Sequence, residues 1–346
     1  MSTGHRRIGK YELHEILGRG GMAEVWKAFD PFLQRYVAIK ILHADLQSDA
    51  DFIKRFEREA RVIASLRHPH IVQVHDFQLA DPSESGNARA YMVMKYIEGP
   101  TLTEYMRRTS RVGNFLPAPD LIHLFMSVGA AVDYAHQHGM IHRDIKPSNI
   151  MLDKRASSRY QIGEPILTDF GIVKLIGAST GTLSGWWMGT PNYISPEQAQ
   201  GHQGNERSDI YSLSVILYEI CTGVRPFLGD TPISVIMQHI SAIPTAPELI
   251  NPKISPALSE VIMCGLAKDP EARFPSASAL ASALTRALNI LPPLSLNSTP
   301  HTIGNTPVQT NTTPVFPSNT PPSPSHAALS TSQFTTPSDS GSKASI

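Results

Sequence analysis

The sequence has no surplus of charge. Thirty basic and thirty acidic side chains cancel to a formal net charge of +0 over 346 residues. That balance gives no electrostatic case for nucleic acid or an anionic membrane as partner, although a local basic patch is compatible with it. Cysteine is scarce as well. Cys221 and Cys264 are the two in the chain, each in an apolar stretch that reads as helix. They read as small buried side chains in a reducing compartment, and without a CxxC or Cys/His cluster there is no zinc motif. The N-terminal MSTGHRRIGKYELHE lacks the apolar run of a secretory leader. The longest apolar stretches, 121–132 and 210–221, are too short to span a bilayer.

Charge is nearly missing from the last part of the chain. From Leu291 to Ile346 only Asp339 and Lys343 are charged, amid Ser, Thr, Pro and Asn. Such a segment cannot bury enough apolar surface to offset its ordering entropy, so 289–346 reads as a disordered tail. Thr-Pro recurs at Thr299, Thr306, Thr313 and Thr320, a seven-residue step. Proline rules out a coiled coil, and the plain reading is a linker or stalk. The sharper one is a phosphoacceptor or docking array.

What is present divides in two. β-Prone runs at Tyr11–Leu17, Ala23–Phe29, Tyr36–Leu42, Ile71–Phe77 and Ala90–Tyr96 surround one helix at about 49–67. Helical patterns follow at 101–108, 119–138, 208–222, 231–241, 255–268 and 277–289. Strands followed by helices predict an α+β, two-lobed fold rather than an alternating parallel sheet.

Several motifs carry chemistry. Gly18, Gly20 and Gly21 would let backbone N–H groups approach phosphate, but a plain hairpin turn explains them equally well. Because Glu24-Val25-Trp26 continues as a strand, the loop caps a hairpin and does not open a helix. Lys40 ends an apolar strand, where a lysine usually snorkels. On the next helix Phe52, Phe56, Ile63 and Leu66 share a face with Glu59. Lys40 could neutralise that carboxylate, or Glu59 could pair with Arg55 at the surface; spacing alone leaves the two even. In IHRDIKPSN, Asp144 can accept a hydroxyl proton and Lys146 offers a mobile positive charge. Asn149 and Asp169, the latter in Asp169-Phe170-Gly171, offer the hard oxygen ligands that Mg²⁺ prefers beside substrate phosphates. Each tripeptide is common by chance; their joint order is not.

With these residues in place the chain resembles the eukaryotic-like serine/threonine protein kinases, in their bacterial receptor-type branch, over residues 11–288. The resemblance implies a β-rich N-lobe at 11–98 and a mainly helical C-lobe at 99–288. It implies ATP in the cleft under Leu17, Gly18, Gly20, Gly21, Val25 and Ala38, above Met151. Met94 would be the gatekeeper, and the backbone of Lys95 and Ile97 would pair with adenine. Lys40 would hold the α/β-phosphates, oriented by Glu59. Asp144 would be the catalytic base assisted by Lys146, with Mg²⁺ on Asn149 and Asp169. Glu197 should pair with Arg273, Asp209 should brace the catalytic-loop backbone, and His142, Phe170 and Ile63 should stack between the lobes. Arg143 would receive a phosphate from an autophosphorylated residue among Ser179, Thr180, Thr182 and Ser184, if that Gly/Ser/Thr run is more than a flexible loop.

Lys146 with Gly189-Thr190 implies Ser/Thr acceptors on protein substrates. A small-molecule kinase or a pseudokinase scaffold is the alternative. The back of the N-lobe could pair two copies, and the expected location is cytoplasmic, with membrane attachment if the native chain runs past Ile346. Four departures stand out. Ala23 replaces the third glycine, Ser195 a usual alanine, and Lys95 a common hinge glutamate. The 153–165 connection, with Lys154, Arg155 and Arg159, is long and reads as a solvated hairpin. Nothing in the sequence explains Trp186 and Trp187.

Overall fold

Strands β1 (Arg7–Ile8), β2 (Tyr11–Arg19), β3 (Ala23–Asp30) and β4 (Arg35–Leu42) run antiparallel. Helix α1 (Ala50–Ser65) intervenes before β5 (Val74–Ala80) and β6 (Arg89–Lys95) complete a sheet of order β1-β2-β3-β4-β6-β5. This computed structural model describes residues 6–21, 23–43, 50–80, 89–109, 116–155, 160–170 and 191–289. The chain divides into two units, Met1–Pro292 and Pro293–Ile346, and everything described belongs to the first.

The period of two along β4 sorts its side chains. Val37, Ile39 and Ile41 join Ile8, Leu13, Tyr91 and Val93 in a small core on one face. Ala38 and Leu42 join the main core on the other, against Phe56, Ala60 and Ile63 of α1. Lys40 lies midway between Ala38 and Leu42, two residues from each, so the strand's period puts its side chain on that same inner face. The helix stripe read from the sequence is present at Phe56, Ile63 and Leu66, which are 0%, 3% and 1% exposed. The side chains of Phe52, Arg55 and Glu59 lie outside the described residues. The surface pair on this helix joins Glu57 to Arg61 at 2.6 Å.

After α2 (Leu102–Thr109) and α3 (Ala118–Gln137), a short 3₁₀ turn at Pro147–Asn149 leads into a hairpin of β7 (Ile150–Asp153) and β8 (Glu164–Leu167). Beyond 190 come α4 (Pro196–Ala199), α5 (Glu206–Thr222), α6 (Pro232–Ser241), α7 (Pro247–Ile250), α8 (Pro256–Gly265) and α9 (Ala277–Asn289). Asn205 caps α5 in a reciprocal box with Ser208, and Gly223 ends it at φ 80°, a backbone angle glycine adopts without a Cβ clash. Asp133 of α3 accepts from the first amides of α9, Ala277 and Ser278, at 2.8 and 2.9 Å. That cap locks two core helices together.

The expected boundaries shift where tertiary pairing intervenes. The run beginning at Ile71 becomes strand β5 only at Val74. Residues 70–72 pair instead with β8: Leu167 N–H donates to the His70 carbonyl at 2.8 Å, and Val72 N–H donates to the Leu167 carbonyl at 2.9 Å. The two-residue β1 and the short α4 and α7 carry too little periodicity to be read from sequence. The 153–165 connection does close a hairpin, with Asp153 paired to Glu164, but its described part is not wholly solvated. Ile162 is 0% exposed, and the Tyr160 ring stacks on His123 at 3.9 Å. Both cysteines are free, Cys221 buried and Cys264 half-buried. Among the described residues no helix is long and apolar enough to cross a membrane. The Thr-Pro repeat lies outside the described residues.

Candidate active site

The sheet and the helical part meet at a crevice lined by Lys40, Met92, Met94, Asp169, Phe170 and Ile63. Two chain segments build its floor. Hairpin register pairs Ile150 with Leu167, so the residues just outside it, Asn149 and Thr168, are also neighbours. Thr168 donates through its backbone N–H and its hydroxyl to the Asn149 carbonyl, at 2.8 and 3.1 Å. Asn149 and Asp169 are thereby held at adjacent strand ends, although twenty positions separate them in sequence.

The ionic groups follow. Lys40 Nζ donates to Asp169 Oδ1 at 2.6 Å, the link between sheet and floor. Its charge holds the Asp169 carboxyl below the usual carboxylate range, against burial that pushes the other way. Lys146 Nζ donates to Asp144 Oδ2 at 2.7 Å, and Asn149 Nδ2 donates to the same oxygen at 3.2 Å and to the Asp144 carbonyl at 2.9 Å. With its amide nitrogen turned to Asp144, Asn149 keeps its oxygen as an acceptor.

Backbone strain marks the same two segments. Arg143 and Asp169 have φ of 62° and 54°, left-handed values that side chains with a Cβ rarely adopt. Such angles persist where neighbours over-determine them. At Arg143 the neighbours are visible: its N–H donates to Asp209 Oδ1 at 2.8 Å, and its carbonyl accepts from Gln198 Nε2 at 3.0 Å. Asp209, fully buried in α5, accepts from the His142 N–H and the His136 ring, each at 2.8 Å. The expected brace from Asp209 is therefore present, and His136 and Gln198 extend it. Neither had a sequence signal: one is a lone histidine near a helix end, the other a lone glutamine.

His142 Nε2 sits 3.0 Å from the Thr168 carbonyl, and the Asp144 N–H donates to Nδ1 at 3.3 Å. These partners assign the proton to Nε2. Burial lowers the ring's pKa, with Asp209 and Thr168 opposing, so the imidazole is neutral. Its ring lies 4.6 Å from that of Phe170, the His142–Phe170 part of the expected stack, and Phe170 lines the crevice together with Ile63.

Farther out, Glu197 and Arg273 form the expected pair through two bonds of 2.9 Å. Ser195, the departure from alanine, is fully buried and caps α4 in a box with Gln198.

The glycine loop tops the β2–β3 hairpin, where Gly18 pairs with Val25 and the Gly20 N–H donates to the Ala23 carbonyl at 2.9 Å. A Cβ on Gly18 would meet nothing within 4 Å, so packing does not demand glycine there and the space is open. Gly21 and Leu17 are exposed. Val25 pairs with Lys40, and Ala38 with Met94. Met94 and Ile97 are buried, and Met151, in β7, is half-buried. The Glu59 side chain, Gly171, Ser179, Thr180, Thr182, Ser184, Trp186, Trp187 and Gly189-Thr190 lie outside the described residues.

The donor set suits a magnesium ion. Among the described residues no three His, Cys, Asp or Glu side chains gather into an all-protein cage. Asn149 and Asp169 supply two hard oxygen groups, and Mg²⁺ takes one or two such ligands and completes its shell with water and substrate phosphate.

Known proteins are similar to this chain. Residues 11–284 match the family described as Protein kinase domain. A probable serine/threonine-protein kinase of Streptomyces coelicolor is 41% identical over 279 residues, covering 80% of this chain and 40% of that protein. Serine/threonine-protein kinase PknB of Mycobacterium leprae is 40% identical over 294 residues, covering 85% of this chain and 45% of that protein. PknA of Mycobacterium tuberculosis is 39% identical over 276 residues, covering 80% and 61% respectively. The chain thus spans between two fifths and three fifths of the length of these relatives. The crystal structure of a point mutant of the Mycobacterium tuberculosis PknI kinase domain superposes with a TM-score of 0.63 at 27% identity, over 83% of this chain and 99% of that one.

Proposed function

This chain belongs to the protein kinase domain family, and from that premise we propose that it transfers the γ-phosphoryl group of ATP to serine and threonine hydroxyls of protein substrates. One observation carries the reading. Lys40 donates to Asp169 at 2.6 Å, Asn149 donates to Asp144 at 3.2 Å, and Thr168, beside Asp169, donates to the Asn149 carbonyl at 2.8 and 3.1 Å, so three chain segments bring these four groups together. All four groups that a pseudokinase scaffold commonly lacks are here, and the relatives are named as protein kinases, not small-molecule kinases.

Phosphoryl transfer asks for positioning and for charge to meet the spreading negative charge of the γ-phosphate. Asp144, oriented by Lys146 and Asn149, accepts the acceptor hydroxyl's proton. Lys146 offers its ammonium to the transferring group. Lys40 holds the α/β-phosphates, with Glu59 as its orienting partner. Bound Mg²⁺ on Asn149 and Asp169 would neutralise phosphate charge. Leu17, Gly18, Gly20, Gly21, Val25 and Ala38 cover the nucleotide, Met151 supports it from below, and the backbone of Lys95 and Ile97 pairs with adenine beside Met94.

Arg143 is the docking point for a phosphate carried by Ser179, Thr180, Thr182 or Ser184, which would order the activation segment. The chain's substrates are proteins. A homodimer through the N-lobe and a cytoplasmic location belong to the same reading.

The test is incubation of the purified chain with Mg²⁺, γ-labelled ATP and a basic protein, followed by phosphoamino-acid analysis and site mapping. Label on serine and threonine, with autophosphorylation inside 179–184, is the expected result. A folded chain that transfers nothing, or labels tyrosine alone, contradicts the transfer reading. An active chain that leaves 179–184 unmodified contradicts the regulatory part.

A further inference from the structure

The long connection after β7 touches the segment proposed to read adenine. Residues 96–101 run beside β7 as an extra edge. Leu152 N–H donates to the Pro100 carbonyl at 2.9 Å, and Lys154 N–H donates to the Glu98 carbonyl at 3.0 Å. Gly99 permits this approach, since a Cβ there would lie 1.8 Å from the Leu152 carbonyl oxygen. The next carbonyl in this alternating series belongs to Tyr96, and a side chain takes it. Arg155 Nη2 donates to it at 2.8 Å.

Three more contacts fix that guanidinium. Its Nε lies 3.4 Å from Glu98 Oε2 and 3.8 Å from Asp153 Oδ1, and its carbon stands 5.9 Å over the Tyr96 ring. Asp153 is nearly buried, accepts from the Arg155 N–H at 3.0 Å, and sits 3.8 Å from Lys95 Nζ on its other oxygen. Arg155 and Glu98 are exposed enough that their ion pair alone contributes little. What only a guanidinium supplies is the fork: Nη2 on a backbone carbonyl while Nε faces the two carboxylates. An extended chain alternates its edges, so the groups of Lys95 and Ile97 lie on the edge opposite the Tyr96 carbonyl.

We propose that Arg155 is a positioning residue for the nucleotide: it fixes the Tyr96 peptide and thereby the backbone groups of Lys95 and Ile97 that pair with the base. This rests on the kinase reading above. An interaction that holds the base equally in ground and transition states lowers KM for ATP without changing kcat. It also gives the insertion a task beyond connecting two strands.

The experiment compares wild type, Arg155→Ala, Arg155→Lys and Lys154→Ala. Lys154→Ala removes the same charge one residue away without touching the Tyr96 carbonyl. Steady-state kinetics with varied ATP and calorimetric titration with ADP are the readouts. Arg155→Ala should raise KM for ATP and Kd for ADP by roughly three- to tenfold, with kcat and peptide KM within about twofold and the melting temperature nearly unchanged. Arg155→Lys should recover only part of the loss, and Lys154→Ala should match wild type. An Arg155→Ala chain that binds ADP like wild type overturns the proposal and leaves the kinase reading standing. So does an equal loss in Lys154→Ala, which would mark a general charge effect. So does a parallel fall in kcat and melting temperature, the mark of a merely structural role. A wild-type chain that binds no ADP sinks the kinase reading and this proposal together.

Discussion

Two sets of ion pairs in this molecule share chemistry and differ in surroundings. Glu197 and Arg273, deep in the helical half, have side chains 13% and 0% exposed. Every arm of that guanidinium is engaged: besides the carboxylate, it donates to the carbonyls of Ala267, Lys268 and Arg207 at 2.8–2.9 Å. In the crevice, Lys40 and Asp169 are 17% and 35% exposed, and Lys146 and Asp144 38% and 21%. A saturated buried pair can only hold structure. A half-exposed pair at a cleft can exchange partners with a ligand, and that availability is what chemistry needs. The contrast predicts that damage to the first set appears in stability, and damage to the second in turnover.

The largest effect is expected in the crevice. Asp144→Asn or Lys40→Met should lower phosphoryl transfer by about 10²–10⁴-fold or more while the melting temperature stays near that of wild type. Kinetics beside thermal unfolding check this, and near-wild-type transfer by both variants would erase the contrast. Next comes Glu197→Gln, which leaves Arg273 buried without its counter-ion. Breaking such a pair costs about 3–5 kcal/mol, to be read from urea unfolding. An unchanged midpoint would show that this region is no sturdier than the crevice.

Acid sharpens the same comparison. Burial by itself would raise the Glu197 pKa, but the bonds from Arg273 and Ser208 outweigh it and leave the carboxyl below its ordinary value. A depressed folded pKa means this contribution is complete above the unfolded value, about 4.3. It is lost as pH falls through the folded value. Glu197→Gln should therefore flatten the acid limb of the stability curve below that pH, measured by unfolding at pH steps. The smallest effect belongs to the exposed helix pair: Arg61→Ala, opposite Glu57, should cost only about 0.3–0.5 kcal/mol.

The sequence made legible whatever depends on local pattern. The stripe on α1, the period of β4 and the hairpin under the glycine loop follow from spacing and turn chemistry. The joint order of Lys40, Asp144, Asn149 and Asp169 pointed to one site because few other functions need those groups together. Illegible were contacts made by isolated polar residues across long separations. His136 and Gln198 reinforce Asp209 and Arg143 with no periodicity to reveal them. Arg155 looked like one charge in a solvated loop, because nothing local announces that its fork will reach a carbonyl 59 positions earlier. Ile71 had strand propensity and used it in an isolated bridge to Leu167, a tertiary pairing that propensity cannot anticipate.

Binding of ATP with and without Mg²⁺, by calorimetry on wild type and Asp169→Asn, tests the convergence of these groups most directly. The two oxygen groups of Asn149 and Asp169 should make wild-type affinity rise by an order of magnitude or more when Mg²⁺ is added, about 1.4 kcal/mol, and Asp169→Asn should lose most of that gain while still folding. Wild-type affinity indifferent to Mg²⁺, or an Asp169→Asn chain with the full gain, would contradict a magnesium-nucleotide site in this crevice.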